Sequence, residues 1–344
     1  MRVVPPDQVS IRDVAELAGV SLGTVSNVLN RPSRVAELKR VKVQNAIEQL
    51  GFVRNDAARQ LKAGQSDCIA FLFLDVRNPF FTDVARGAEQ QAGRRGLSVL
   101  LANSDDSRER EAAYLGLFGR QRVRGVLVSP IDDVFDQLDR LRRHGIVPVL
   151  VDRVADGQPY SSVSVDDVQG GYLAVSHLIE QGCRRIAYVG GPLKVRQVAD
   201  RLAGARTAAE EHPGVELEVV LQSALDIACG AGAGALIMQR PQRDRPDGVF
   251  CANDLLAVGA LQSFTVHERA SVPRDIALVG YDDIDFAQAT VVPLTSVRQP
   301  SVLIGRTAVD LLFEQVDAAD GLGQPRSVVF TPELVVRESS LRRG

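Results

Sequence analysis

The sequence of 344 residues predicts an α/β protein in which a small all-helical head precedes two doubly wound halves built on parallel sheets. Residues 11–50 hold short helical patterns that are separated by glycine or proline. From Cys68 onward, apolar runs such as CIAFLFL and GVLVS alternate with helix-length amphipathic segments. This alternation is typical of βαβ units, and about 280 residues with so many strands favour two sheets over one.

The head begins with two short helices. Ser10 is a suitable cap for a helix over IRDVAELA, and Gly19 can take the positive φ that ends it. Ser21 is a suitable cap for a second helix, which the sequence NRPSR ends. The spacing predicts a third helix from Ala36 to Leu50, with Leu38, Val41, Ile47 and Leu50 facing inward. Three helices in this order predict a helix-turn-helix unit.

The outer face of the second helix is the candidate DNA-reading surface, because that face enters the major groove in helix-turn-helix proteins. Asn27 can read adenine through two hydrogen bonds, and Leu22 can contact a thymine methyl group. The hydroxyl groups of Thr24 and Ser26 suit phosphate contacts. A purely structural three-helix cap is the alternative interpretation of this segment.

Charge is distributed unevenly along the chain. Residues 1–62 carry a net charge of +4 and the remainder carries −7. A basic head on an acidic body indicates that only the head meets a polyanion such as DNA. The decapeptide NDAARQLKAG that follows, residues 55–64, is too short to be a stable helix alone, and Leu61 is its one large apolar residue. It suits a wedge in a minor-groove step, with a plain linker as the alternative.

Polar side chains follow the predicted strands of both halves, where open α/β sheets bind their ligands. Asp132 and Asp152 follow strands of the first half, and Asp282 follows a strand of the second. Together with Phe80 and Phe81, such residues suit a sugar, a polyol or a nucleoside, since carboxylates bind hydroxyl groups and an aromatic ring covers an apolar face. For each acidic residue taken alone, capping of the next helix is an equally good interpretation.

Catalytic and metal-binding motifs are absent from the sequence. The run GAGAGA at residues 230–235 matches a dinucleotide fingerprint in letters, but it falls inside a predicted helix, so close helix packing explains it better. The four histidines form no metal motif, and the four cysteines form no C-x-x-C pair. We therefore expect no enzyme activity, no metal, no cofactor and no disulfide. No apolar run of eighteen residues and no signal peptide is present, so we expect no membrane contact and a cytoplasmic, nucleoid-associated protein.

Ordered motifs along nearly the whole chain resemble the lactose-repressor/galactose-repressor (LacI/GalR) family of bacterial transcription regulators. The matching motifs are IRDVAELAGVSLGTVSNVLNRP, AIEQLGFVRNDAARQL, NPFF, VSVDDVQGGYLAVSHLIEQGCRRIAYVGG, RLAGAR, CANDLLAVGAL, IALVGYDDI, PLTSVRQP and PELVVRESS. The resemblance implies a lambda-repressor-like head and a periplasmic-binding-protein-like core. It also implies a homodimer that binds a pseudo-palindromic double-stranded operator and responds to a small effector, expected to be a carbohydrate or related metabolite.

The resemblance assigns roles to individual residues. Leu22, Gly23 and Asn27 fall at base-reading positions, and Leu61 falls at the position of the hinge leucine. The expected DNA-binding set is Ser10, Ser21, Leu22, Gly23, Thr24, Ser26, Asn27, Asn30, Arg34, Asn55, Ala58 and Leu61. The expected effector-binding set is Phe80, Phe81, Asp132, Asp152, Arg201, Asn253 and Asp282.

The expected domains are a helix-turn-helix domain over residues 1–54, a hinge over 55–65 and an effector-binding core over 66–344. We expect the first half of the core to comprise residues 66–164 and 294–326, and the second half 165–293 and 327–344, with a break between VDR and SVSVDD. A sugar-binding transport protein and a sugar-modifying enzyme are the alternatives. The first would need an export signal and no basic head, and the second would need a catalytic set.

Overall fold

The computed structural model describes residues 9–52, 66–267, 270–318 and 323–342, and the chain divides into two compact units, residues 1–65 and 66–344. In the first unit, helices α1 (Ile11–Ala18), α2 (Leu22–Asn30) and α3 (Glu37–Leu50) form the expected three-helix head. The backbone N–H of Ser10 donates to Asp13 Oδ2 at 2.7 Å, and Gly19 ends α1 with φ of 62°. Both local signals therefore act as the sequence predicts.

The inward face of α3 differs from the prediction. Leu38 is 80% exposed and Val41 is 43% exposed, whereas Val43 and Ala46 are buried against α1 and α2. Helix α3 begins only at Glu37, so Leu38 lies in its first turn, on the side facing solvent. Val43 and Ala46 form the buried stripe, and Ile47 and Leu50, which are partly buried, pack against it as expected.

The second unit contains two six-stranded sheets. The first sheet has the strand order β11-β5-β4-β3-β1-β2 and the second has β12-β10-β9-β8-β6-β7. The strands are β1 (Cys68–Phe73), β2 (Ser98–Asn103), β3 (Gly125–Val128), β4 (Val147–Val151), β5 (Ser161–Val165), β6 (Arg185–Gly190), β7 (Glu216–Leu221), β8 (Gly248–Cys251), β9 (Ala277–Asp282), β10 (Thr295–Arg298), β11 (Ser327–Phe330) and β12 (Glu333–Val335). All described strand pairs are parallel except β10 with β12, so the expected class of two doubly wound sheets is confirmed.

Helices cover both faces of these sheets. They are α4 (Pro79–Gly93), α5 (Arg108–Gln121), α6 (Phe135–Arg143), α7 (Asp167–Glu180), α8 (Arg196–Glu210), α9 (Ile227–Met238), α10 (Asp254–Gln262) and α11 (Ser301–Val316). Along β1, Ile69 and Phe71 belong to the core that α4 and α11 complete, while Ala70 and Leu72 belong to the core under α5 and α6. This alternation is the period of two that a strand imposes when both of its faces are buried.

The later crossings between the two sheets lie at different places from those expected. The strand SSVSV, β5, pairs with β4 in the first sheet, so the first crossing follows Val165. This agrees with the expected first half over residues 66–164, whereas a break between VDR and SVSVDD is wrong. Strand β10 pairs with β9 in the second sheet, although we expect residues 294–326 in the first half from the sequence. Strand β11 pairs with β5 in the first sheet, although we expect residues 327–344 in the second half. Strand partners are set by contacts between distant segments, which the apolar runs do not reveal.

Glycines bring pairs of helices into close contact. A Cβ atom added at Gly230 would lie 2.1 Å from Leu256 O, which confirms that the GAGAGA run in α9 serves close packing against α10. A Cβ at Gly171 in α7 would lie 1.9 Å from Arg201 O, and a Cβ at Gly204 in α8 would lie 1.8 Å from Val168 O. Helices α7 and α8 therefore approach until their backbones touch. No helix of the described residues is both long and apolar enough to cross a membrane.

Candidate functional site

The outer face of α2 is polar and accessible. Val25 and Val28 are buried in the head, while Ser21, Gly23 and Asn27 are exposed and Leu22 is 45% exposed. The sequence folds this way because apolar residues three apart, Val25 and Val28, lie on one side of the helix. The side that remains free is the one that the sequence proposes for base reading.

Several of the predicted phosphate-contacting groups also hold the head together. Ser21 Oγ accepts from the backbone N–H of Thr24 at 3.2 Å and lies 2.9 Å from Thr24 Oγ1. Asn30 Nδ2 donates to Ser26 O at 2.8 Å. These contacts fix both ends of α2. Arg34 is exposed, and the predicted hinge residues Asn55, Ala58 and Leu61 lie outside the described residues.

A buried charged cluster surrounds Asp282 at the end of β9. Asn78, which caps α4 over the first sheet, donates to Asp282 Oδ2 at 2.9 Å. Gln299 donates to Asp282 Oδ1 at 2.8 Å, and Arg201 Nη1 lies 3.7 Å from the same oxygen. Burial raises the pKa of Asp282 above its usual value even though Arg201 favours the ionised form. The predicted pair of Arg201 and Asp282 is thus brought together.

Arg201 is 5% exposed and its guanidinium is held on several sides. Its Nε donates to Asp167 Oδ1 at 2.8 Å, its Nη1 donates to Ala252 O at 2.6 Å, and its Cζ lies 3.6 Å above the centre of the Tyr281 ring. Burial disfavours the charged guanidinium, but the neighbouring carboxylates, Asp167 first, outweigh it and raise the pKa of Arg201. Arg201 is therefore a buried, fixed cation beside Asp282.

Asp152 lies at the end of β4, across the cleft from α8. Gln197 Nε2 donates to Asp152 O at 2.5 Å and to Asp152 Oδ2 at 2.8 Å, whereas Asp152 Oδ1 is buried and has no hydrogen-bond partner among the described residues. Burial raises the pKa of Asp152 well above its usual value, and the nearby Asp167 adds to the effect. The free oxygen is an acceptor that a ligand hydroxyl group can satisfy.

Amide side chains join the two halves of the core across the cleft. Asn78 of the first half contacts Asp282 of the second, and Gln197 of the second contacts Asp152 of the first. At the rim, Arg196 Nη1 lies 3.6 Å from Asp156 Oδ2, with both side chains about half exposed. The carboxylates that face the cleft are thus occupied by amide donors of the protein itself.

Two predicted effector-binding residues, Asn253 and Asp132, have other contacts. Asn253 Oδ1 accepts from Leu256 N at 2.9 Å and its Nδ2 donates to Leu225 O at 3.0 Å, so this residue caps α10. Asp132 forms an ion pair with Arg108 and its side chain is about two-fifths exposed. That Asn253 and Asp132 bind an effector stays a prediction.

Phe80 and Phe81 are 3% and 5% exposed and belong to the apolar core of the first half. The Phe81 ring stacks on Phe73 with 6.0 Å between the ring centres. Both rings are held by protein atoms in this structure, because the first turn of α4 turns them toward the sheet. That they stack on an effector stays a prediction.

Sequence reasoning missed Gln197 and Gln299. Gln197 lies four residues before Arg201 on α8, so the helical period places the two side chains on one face of the helix. Gln299 follows β10 directly, at the edge where the other polar residues gather. The positions of these two residues in the sequence could have indicated a place in the site, but glutamine belongs to no recognised binding motif. No group of three or more His, Cys, Asp or Glu side chains within the described residues is arranged to hold a metal ion.

Comparisons with known proteins find relatives that match nearly the whole chain. Residues 10–55 match the family model of bacterial regulatory proteins of the lacI family, and residues 175–340 match the periplasmic binding protein-like domain. The HTH-type transcriptional repressor PurR of Photobacterium profundum is 34% identical over 334 residues, covering 96% of this chain and 98% of that protein. PurR of Haemophilus influenzae (strain PittEE) is 33% identical over 336 residues, with the same coverage.

Solved structures of transcription regulators are also similar to this chain. The lac repressor dimer bound to operator and the anti-inducer ONPF is 27% identical, with a TM-score of 0.81, and the match covers 97% of this chain and 99% of that one. The complex of the transcriptional regulator CelR with cellobiose is 31% identical, with a TM-score of 0.71, and covers 96% and 100%.

Proposed function

The chain belongs to the lacI family of bacterial regulatory proteins, and from this premise we propose how its two sites work. It is a DNA-binding transcriptional repressor that acts as a dimer on an operator and whose core binds a small effector. The observation that carries this function is the exposed polar face of α2 on a capped three-helix head, within the segment that matches the family. We place the protein in the cytoplasm, where the operator is, and we expect it to catalyse no reaction.

We propose that α2 reads base edges in the major groove through Leu22, Gly23 and Asn27. Asn27 is exposed on the outer face, and an asparagine there can form two hydrogen bonds with adenine. Gly23 leaves room for close approach of the helix to the bases. The phosphates are contacted by Ser21, Thr24 and Ser26, together with the exposed Arg34. We further propose that residues 55–65 form the hinge and that Leu61 enters the minor groove.

We propose that the effector is a neutral compound rich in hydroxyl groups and that Arg201, Asp282 and Asp152 bind it. The cleft offers acceptors without partners among the described residues, namely Asp152 Oδ1 and Gln299 Oε1. Its buried cation, Arg201, is already held by Asp167, so it leaves little attraction for a strongly anionic ligand. The CelR structure contains cellobiose, which has the same hydroxyl-rich chemistry.

We propose that the effector acts by competing with the cross-cleft amides. A hydroxyl-rich ligand would replace Asn78 at Asp282 and Gln197 at Asp152, and so change the relative orientation of the two halves. Through the hinge, this orientation controls how the two heads of the dimer grip the operator. The change in operator affinity cannot exceed the difference in effector affinity between the two orientations, about 1–3 kcal/mol.

Selection of binding sites from random duplex DNA tests the function. We expect an enriched pseudo-palindrome, with retarded bands in gel shifts whose affinity falls steeply with salt. The Asn27→Ala variant should change the preferred base at one position of each half-site. Recovery of no enriched sequence at low salt, by a protein with the wild-type melting temperature, would contradict sequence-specific regulation.

A further inference from the structure

A groove of about 650 Å³ runs between α5 and α6 on the outer side of the first half. Leu115 and Leu141, both buried, form its apolar floor, and none of the cleft residues lines it. The volume lies within the range of small-molecule sites, about 300–1,000 Å³. The groove is separate from both sites described above.

The rim of the groove is cationic. Arg120, Arg122 and Arg140 carry this charge, His144 also lines the groove, and no acidic side chain does so among the described residues. None of these four forms an ion pair within the described part of the chain, whereas Arg95 on the same half pairs with Asp317. Arg140 Nε donates to the backbone oxygen of Asp136 at 3.3 Å, but the three guanidinium groups have no ion-pair partner among the described residues. Such groups around an apolar floor suit an anion with an apolar body, because the planar donors of arginine match phosphate oxygens.

Arg122 occupies a backbone position that favours glycine. It follows the last residue of α5 and has φ of 49° and ψ of 46°, in the left-handed region. Glycine takes this conformation at helix ends without the steric cost that a side chain incurs. A residue held in this region is an indication of function where its side chain offers something that glycine cannot, and Arg122 lines the groove.

Two glycines of α5 keep the groove open. A Cβ atom at Gly116 would come no closer than 3.4 Å, to Arg120 Nη1, and one at Gly119 would lie 3.4 Å from Leu141 Cδ2. At Gly204, by contrast, a Cβ would lie 1.8 Å from a backbone oxygen. Close helix packing therefore does not demand glycine in α5, although glycine weakens a helix interior. What these glycines provide is free volume above the apolar floor.

We propose that this groove is a second ligand site, which binds a small phosphomonoester with a flat apolar body. Arg120, Arg122 and Arg140 bind the phosphate, and the body lies over Leu115 and Leu141. Gln137 also lines the groove, and its Oε1 is buried without a hydrogen-bond partner among the described residues. That oxygen is the acceptor for one hydroxyl or N–H group of the ligand.

Fluorescence anisotropy with 1-naphthyl phosphate tests the proposal on the full chain without DNA. The protein has no tryptophan, so the naphthalene signal is free of that background. We expect saturable binding, with 1-naphthol, which lacks the phosphate, bound about tenfold more weakly or worse, since charge-assisted contacts are lost. Inorganic phosphate should compete, but only at higher concentration, because it makes no contact with the apolar floor.

Two substitutions test whether 1-naphthyl phosphate binds in the groove. Arg122→Gly should weaken binding about tenfold or more, since a charge-assisted contact is lost, without lowering the melting temperature. Gly116→Leu should block the groove by filling it. Gly93→Leu is the matched control, because a Cβ at Gly93 meets no atom within 4 Å and the residue lies outside the groove. Wild-type affinity in both groove variants, or equal binding of 1-naphthol, would overturn the proposal.

Discussion

Replacing Gly204 by alanine should damage both the stability of the core and the effector cleft. The new Cβ would lie 1.8 Å from Val168 O and 2.7 Å from Tyr172 N, both in the backbone of α7. Restoring an ordinary contact of 3.4 Å requires α7 and α8 to separate by about 1.6 Å. Because backbone atoms cannot move aside as a flexible side chain can, overpacking of this kind costs about 1–3 kcal/mol.

The separation of α7 and α8 should also disturb the contacts of Arg201. Arg201 lies one turn before Gly204 on α8 and donates to Asp167, the first residue of α7, at 2.8 Å. A separation of about 1.6 Å exceeds what this hydrogen bond tolerates. We therefore expect Gly204→Ala to lower effector affinity as well as stability, while the three-helix core of the head stays the same.

Urea unfolding of the full chain measures the first effect, with Gly232→Ala as the control. A Cβ at Gly232 in α9 meets no atom within 4 Å, so this variant should gain about 0.5–1 kcal/mol from helix propensity. Gly204 also lies inside a helix, so the propensity gain is common to both alanine variants, and their free energies of unfolding should differ by the overpacking cost of about 1–3 kcal/mol. Equal free energies of unfolding for the two would refute the packing argument.

Four further predictions concern the two sites. Leu61→Ala should weaken operator binding in gel shifts without changing the melting temperature, and unchanged affinity would exclude the wedge. Asp282→Asn should abolish the effector response in an operator-release assay and leave effector-free DNA binding intact; loss of DNA binding would indicate a structural role instead. Asp152→Asn should raise the free energy of unfolding, because burial raises the pKa of Asp152 in the folded state and its ionisation opposes folding. Below about pH 4 the carboxyl group is protonated in both folded and unfolded chains, so the variant and wild type should have similar free energies of unfolding. The advantage of the variant should grow as pH rises toward the folded-state pKa of Asp152, and an advantage that shrinks with rising pH would contradict the prediction. Finally, the logarithm of operator affinity should fall with the logarithm of salt concentration by about 0.9 for each phosphate neutralised, and a flat salt response would rule out dominant phosphate contacts.

Local signals in the sequence predicted the head well. Ser10, Gly19 and Ser21 act within four residues of themselves, so capping chemistry suffices to place the ends of α1 and the start of α2. Leu38 shows the limit of the method. Its apolar side chain fits a helical stripe of apolar residues on α3. Which side of α3 is buried depends, however, on where α1 and α2 pack against it, and Leu38 is 80% exposed.

The cleft was predicted in part. Arg201 and Asp282 meet as expected, whereas Asn253 caps a helix and Asp132 pairs with Arg108 at the surface. An acidic or amide residue after a strand looks the same in sequence whether it caps a helix or faces a ligand. The orientation of the following helix relative to the opposite half makes the difference, and no local pattern encodes that orientation.

By itself, the sequence determined the elements, their order and the family, because helical period, strand period and capping depend on neighbours along the chain. Only the tertiary structure decided which strand joins which sheet and which side chains meet across the cleft. Asn78 and Asp282 are 204 positions apart, and their hydrogen bond exists because three crossings of the chain place the ends of α4 and β9 opposite each other. Contacts between residues so far apart in the sequence depend on how the sheets and helices pack, so local sequence patterns do not predict them.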